Sequence, residues 1–236
     1  MKKFENKVVL VTGSSRGIGK MLTDYFLSEG SIVIGVSMNS IDKVDSNFYQ
    51  KKIDISNPHD INRLFIFIKN NFNKLDILIN NAGIAYSSQS ILLSYEKAKK
   101  MIDTNILGTF LVSKESSKLM MKNKYGRVVN IGSISASLEP IGANIYTATK
   151  SAIHSLSNSL AFEFSKYNIT FNTISLSPYP SDMLNTISAK DIDWYLSRQK
   201  INRLANSEDI INVISFFCSE KSSFITAQNI NLGGIS

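Results

Sequence analysis

Short apolar runs alternate along the chain with longer stretches in which apolar residues recur every three or four positions. The runs at 8–11, 32–37, 50–55, 75–80, 127–132, 170–176 and 229–232 are strand-sized, while 17–28, 58–72, 97–122, 146–166 and 207–219 carry helical periodicity. In the first helix Ile18, Met21, Leu22, Tyr25 and Phe26 share one side. The run Val8-Val9-Leu10-Val11 is apolar at every position, as expected for a strand of a parallel sheet buried on both faces. Right-handed crossovers then predict a single α/β domain over residues 1–236: a doubly wound, Rossmann-like, parallel seven-stranded sheet with helices on both faces. Two spans break the rhythm. Residues 38–49 have little helical pattern, so the usual helix there is expected to shrink to a turn; residues 178–206 form a long excursion after the sixth strand, where a substrate-side loop or lid would sit.

The first strand runs into "TGSSRGIG" at 12–19, a strand–turn–helix junction with three glycines. Gly13 would make the tight turn, Gly17 would let a ligand approach the backbone, and Gly19 would let the helix pack on the sheet. The helix start offers unpaired N–H groups and the positive end of its dipole, a site suited to a pyrophosphate. The spacing, G-x-x-x-G-x-G, is only moderately specific and is also compatible with a tight turn that binds nothing.

Composition removes several classes of function. The longest apolar runs are too short to cross a membrane. Met1-Lys2-Lys3 resembles the start of a secretory signal, but the next apolar segment stops after four residues at Thr12-Gly13. The single cysteine, Cys218, excludes an internal disulfide framework, fits a cytoplasmic location and reads as core filler within "VISFFCSE". His59 and His154 stand far apart without cysteine companions, so no metal site is expected. The net charge of +7 is spread along the chain. It fits a solvated basic surface or attraction of an anionic partner such as a phosphorylated cofactor, and no nucleic-acid-binding motif accompanies it. Asn, Lys and Ile usage points to an AT-rich bacterial genome.

A second constellation suggests chemistry. "YTATK" sets Tyr146 and Lys150 four apart at a helix start, on one face, and Ser133 follows the strand "RVVNIG". A phenol is a poor acid at neutral pH, and a nearby ammonium lowers its pKa. A serine hydroxyl can hold a carbonyl oxygen. Together they would make a proton donor for an alkoxide formed by hydride transfer. Y-x-x-x-K alone also occurs on plain surface helices.

Taken together these motifs resemble the short-chain dehydrogenase/reductase family, in the subfamily that includes the β-ketoacyl-carrier-protein reductases, and the likeness runs nearly end to end. "TGSSRGIG" is similar to its cofactor turn, Asp54 in "DIS" to the acid that meets the adenine, "NNAG" (80–83) to the motif after the fourth strand, Asn105 to its helix-borne catalytic asparagine, and "ITAQNINLGG" to its closing strand. The resemblance implies a catalytic set of Asn105, Ser133, Tyr146 and Lys150. Tyr146 would be the acid, Lys150 would bind the nicotinamide ribose and lower the Tyr146 pKa, Ser133 would orient the substrate, and Asn105 would hold a relay water. It implies cofactor contacts from Gly13, Ser15, Arg16, Gly17, Ile18, Gly19, Ser37, Asp54, Ile55, Asn81, Ala82, Gly83, Tyr146, Lys150 and Ser181. NADP(H) is favoured over NAD(H), because the second strand ends in Ser37-Met38-Asn39 without an acid and Arg16 stands where relatives meet the 2′-phosphate.

Substrate contacts are expected from Ser133, Leu138, Asn144 and Tyr179, with Ala85, Tyr86, Met183 and Trp194 as further pocket candidates. The implied substrate is a small carbonyl compound, such as a 3-oxoacyl thioester carried on an acyl carrier protein received by Lys122, Lys124 and Lys166 near the pocket mouth. A reductase of a sugar or other small ketone in surface-glycan biosynthesis, or a non-catalytic dinucleotide-binding relative, are the alternatives. The family also implies a homotetramer or dimer formed through helices 97–122 and 146–166. One segment departs from the pattern. The Pro-Gly usual after the sixth strand is replaced by Leu176-Ser177, or, with a two-residue insertion, by Pro178-Tyr179.

Overall fold

The computed structural model describes residues 2–39, 45–184 and 187–235. Its strands are β1 (Val8–Thr12), β2 (Ile32–Ser37), β3 (Phe48–Lys52), β4 (Ile77–Asn80), β5 (Gly126–Ser133), β6 (Ile169–Leu176) and β7 (Asn229–Asn231). All pair in parallel in one sheet, in the order β3-β2-β1-β4-β5-β6-β7. The principal helices are α1 (Gly17–Ser28), α2 (Pro58–Asn71), α3 (Tyr95–Ile102), α4 (Thr109–Asn123), α5 (Asn144–Phe164), α6 (Ala189–Leu196) and α7 (Ser207–Cys218). No helix among the described residues is long and apolar enough to cross a membrane.

Alternate residues of each strand feed two apolar layers. Val8 and Leu10 face one layer, closed by Leu64 and Ile68 of α2, Val112 and Met120 of α4 and Leu160 of α5. Val9 and Val11 face the other, closed by Leu22 and Phe26 of α1 and by Ile210, Ile214 and Phe217 of α7. This two-sided burial explains the uninterrupted apolar strands. The strand order reverses between β1 and β4, which opens a crevice at their C-terminal ends, where open α/β sheets bind ligands.

The buried sheet also carries a polar row. Asn80, Asn130, Thr173 and Asn229 stand in register across β4 to β7. Asn130, fully buried, accepts from Asn80 Nδ2 at 2.7 Å and donates to Ser157 Oγ of α5 at 2.6 Å. One step toward the site, His154 Nε2 lies 3.0 Å from Ser175 Oγ, which donates to Asn229 Oδ1 at 2.9 Å. These bonds tie α5 to the sheet. Asn130→Ala is expected to lower unfolding stability by about 1–2 kcal/mol, since it removes two buried hydrogen bonds while Asn80 keeps Ser113 and Ser157 keeps Thr173. Urea titration checks this; an unchanged midpoint would mean that the row adds nothing.

Three elements differ from the sequence reading. β3 begins and ends earlier than 50–55, because Ile53 and Ile55, which suggested a strand there, are buried in the turn that leads to α2. The single helix expected over 97–122 is α3, a π-helical stretch at Asp103–Gly108, and α4. The excursion after β6 contains α6, capped by the Ser188 side chain on Asp191 N–H. Within the span expected to shrink to a turn, residues 40–44 lie outside the described residues.

Candidate active site

The Gly-rich turn is built as a cradle. Gly13 and Gly17 have φ of +69° and +53°, and a Cβ on Gly19 would lie 2.1 Å from the Gly13 carbonyl oxygen. None of the three tolerates a side chain without rearrangement. The turn is held from both sides. Gly13 N–H donates to the Val36 carbonyl at 2.8 Å, and Asn81 Nδ2 donates to the Thr12 and Gly13 carbonyls at 2.9 and 3.3 Å. Thr12 Oγ1 accepts from Asn81 and Ala82 N–H, each at 3.0 Å. The start of α1 therefore faces the crevice with its N–H groups free of intrahelical partners, and its backbone fits a pyrophosphate.

The segment expected to meet the adenosine is organised by a residue the sequence reading missed. Gln50 accepts from Ser14 Oγ at 3.3 Å and donates to Ser37 Oγ at 2.8 Å, while Ser37 donates to the Asn39 carbonyl. It stands opposite Gly35 on the neighbouring strand. Asp54 accepts from Ser56 N–H and Oγ at 2.9 and 2.7 Å. Ile55 is buried against Gly108, where its carbonyl oxygen would lie 2.9 Å from an added Cβ.

The four catalytic candidates come from three elements. Asn105 sits in the π-helical stretch, buried, with Oδ1 accepting from Ile84 N–H at 2.9 Å and Nδ2 donating to the Ile84 carbonyl at 2.9 Å. The widened turn lets the carboxamide act as a third strand-like partner for the segment after β4. Nδ2 also donates to Thr149 Oγ1 at 3.0 Å, and Thr149 donates to the Tyr146 carbonyl at 2.7 Å. Thr149 is thus a positioning residue that sequence spacing alone did not reveal. A Cβ on Gly83 would lie 3.3 Å from Asn105 Oδ1 and 3.6 Å from Lys150 Nζ, so the bare glycine leaves room where these two side chains meet.

Lys150 is buried and donates to the Ile131 carbonyl at 2.7 Å. Burial pulls its pKa down to about 8. Ser133, at the end of β5, takes hydrogen bonds from Ser135 N–H at 3.2 Å and Oγ at 2.7 Å. Burial raises the Tyr146 pKa, and the hydrogen bond with Ser133 offsets this in part. Lys150 Nζ lies 5.8 Å from the Tyr146 ring centre and is bound to the Ile131 carbonyl.

The loop after β6 changes the substrate picture. β6 runs without a break to Leu176, paired with Ser133, and Ser177 donates to the Leu232 carbonyl. Tyr179, expected in the substrate pocket, is instead drawn to the α7 side. Its hydroxyl lies 3.0 Å from Ser207 Oγ and its ring packs on the second apolar layer. Ser181 Cβ lies 3.9 Å from where a Gly17 Cβ would stand, beside the Gly-rich turn. Asn144 ties the start of α5 to Ser90 Oγ at 2.5 Å, and Leu138 is half-buried at the end of a short helical turn after Ser133. Trp194 stacks under Arg198, with the guanidinium carbon 3.8 Å from the ring centre. Its neighbour Tyr195, which the sequence reading passed over, has a pKa raised to about 12 by burial and then by Tyr146, so α6 brings a second phenol toward the catalytic one.

Lys122, Lys124 and Lys166 are not at the mouth of this chain's pocket. Lys122 lies in the last turn of α4, Lys124 caps it and Lys166 follows α5, at the pole where β5 and β6 begin. The 21 residues of α5 separate that pole from Tyr146 by about 30 Å.

The family model described as short chain dehydrogenase matches residues 7–192. A 3-oxoacyl-[acyl-carrier-protein] reductase of Buchnera aphidicola is 32% identical, with 98% of each chain covered. The protein of the same name from Escherichia coli is 30% identical, over 98% of this chain and 97% of that one. Among solved structures, a short chain dehydrogenase from Leptospira borgpetersenii with bound NAD+ superimposes with a TM-score of 0.89 at 26% identity, covering 98% of this chain and 92% of that one.

Proposed function

Because the chain belongs to the short-chain dehydrogenase family, we propose that it is a reductase of 3-oxoacyl thioesters that prefers NADPH. The observation that carries this reading is the convergence of Asn105, Ser133, Tyr146 and Lys150 beside the Gly-rich cradle. The bound nicotinamide supplies the hydride that reaches the carbonyl carbon. Ser133 Oγ and the Tyr146 hydroxyl hold the carbonyl oxygen, and Tyr146 releases its proton to that oxygen as negative charge develops there. Lys150, held between the Ile131 carbonyl and the gap at Gly83, provides the positive charge that makes the resulting phenolate tolerable. Asn105 and Thr149 fix the helix start on which Tyr146 is carried.

The NADPH preference is supported by Arg16 beside the cradle and by the acid-free end of β2 at Ser37-Met38-Asn39. Arg16→Ala is expected to weaken NADPH by about 1.5–3 kcal/mol and NADH much less, as for loss of a hydrogen bond to a charged group. Paired cofactor titrations test it; tighter NADH than NADPH binding by the wild type would overturn the preference.

The homotetramer is supported by apolar side chains left outside the sheet contacts. Phe110 of α4 and Phe162 of α5 are 37% and 88% exposed. A two-fold axis that pairs these helices antiparallel would also bring the Lys124 and Lys166 pole of one protomer toward the partner's Tyr146. Light scattering that gives a monomer mass at micromolar concentration would rule out both the tetramer and this route for an acyl carrier protein.

A further inference from the structure

We propose that Asp182 sets how strongly the protein discriminates NADPH from NADH, by competing with the 2′-phosphate for Arg16. This rests on Arg16 being the phosphate-binding cation of the reading above. Arg16 precedes α1 with an extended backbone, φ −156° and ψ 172°, and its side chain makes no capping bond to the helix. It reaches outward instead, and Nη1 donates to Asp182 Oδ2 at 3.3 Å. The contact has a second point beside it. Ser181, the preceding residue, stands 3.9 Å from the Cβ position of Gly17.

The loop that carries Asp182 is anchored at its root. Ser177 bonds the Leu232 carbonyl, Pro178 accepts from Ala205 N–H at 2.9 Å, and the Tyr179 hydroxyl meets Ser207. At its tip, Ser181 Oγ donates to the Tyr179 carbonyl at 3.1 Å and accepts from Leu184 N–H at 3.4 Å, which turns Asp182 toward the Gly-rich segment. The carboxylate is therefore presented to Arg16 by a shaped turn.

The consequence is electrostatic. A 2′-phosphate that uses Arg16 must either displace Asp182 from it or sit beside a carboxylate of like charge. Both cost free energy, and NADH, which has no 2′-phosphate, incurs neither. Both side chains are about 70% exposed, 73% for Arg16 and 68% for Asp182, so solvent screens the pair and the effect is modest. Removing the carboxylate should tighten NADPH by about two- to fivefold, and the gain should shrink as salt is raised.

The test is a set of binding titrations on wild type, Asp182→Asn, Arg16→Ala and the double variant. The probes are NADPH, NADH, adenosine 2′,5′-bisphosphate and AMP. The expected result is tighter binding of NADPH and the bisphosphate by Asp182→Asn, with NADH and AMP within about twofold of wild type. Most of that gain should vanish in the Arg16→Ala background. Unchanged or weaker NADPH binding by Asp182→Asn, with Arg16→Ala still weakening it, overturns the competition alone; weaker binding would instead mean that Asp182 orients Arg16. No effect of Arg16→Ala on NADPH overturns the proposal together with the cofactor reading beneath it.

Discussion

Tyr146→Phe lowers turnover by about 10²–10⁴-fold, the usual worth of a general acid, and leaves NADPH binding within about twofold of wild type. The substitution keeps the ring and its packing at the start of α5 and removes only the hydroxyl that meets Ser133. Tyr195 is the second phenol brought near Tyr146, and burial raises its pKa to about 12, which makes it a poor substitute acid. Stopped-flow separation of cofactor binding from turnover makes the measurement. A Phe variant with turnover within about threefold of wild type would remove Tyr146 from the proton transfer.

Lys150→Met is expected to abolish activity and stabilise the free protein. The depression of the Lys150 pKa from 10.5 to about 8 by burial corresponds to about 3 kcal/mol of destabilisation while the group is charged. Methionine fills similar space without the charge and forfeits the charge-assisted bond to the Ile131 carbonyl, about 1.5–3 kcal/mol, so a net gain of about 0–2 kcal/mol is expected at pH 7. A lysine whose folded pKa lies below its unfolded value carries its full penalty below the folded pKa. The penalty fades as pH rises from about 8 to 10.5. The Met variant's advantage should therefore shrink between pH 7 and pH 10. Urea midpoints at the two pH values check this, and a variant less stable than wild type at pH 7 would show that Lys150 is held by more than burial allows. A residue that costs stability and is still retained in the core marks a site shaped for function.

The alternation of apolar runs and amphipathic stretches was enough to place the parallel sheet, because Val8 to Val11 and Ile32 to Val36 serve two apolar layers at once. β3 was misplaced for the opposite reason: as an edge strand it carries Tyr49, Gln50 and Lys51, and the apolar Ile53 and Ile55 beyond it are buried without being paired. α6 was invisible because it is short and no residue in it is fully buried. The glycines of the turn were legible as positions without room or conformation for a side chain: Gly13 and Gly17 have positive φ, and an added Cβ on Gly19 would meet the Gly13 carbonyl oxygen. What local pattern did not disclose were roles that exist only through distant contacts. The π-helical turn at Asn105 depends on Ile84, the position of Thr149 on Asn105, and that of Gln50 on Ser14 and Ser37. Tyr179 failed as a pocket residue because Ser207, which holds its hydroxyl, belongs to α7.

The most direct test of the account follows NADPH deuterated at C4 of the nicotinamide as the purified protein turns over an acetoacetyl thioester. The account predicts one equivalent of NADPH oxidised per 3-hydroxyacyl thioester formed, with the deuterium on C3 of the product. Saturable NADPH binding with no oxidation by the thioester or by a panel of simple ketones would contradict it and leave a dinucleotide-binding protein without the reduction proposed for Tyr146.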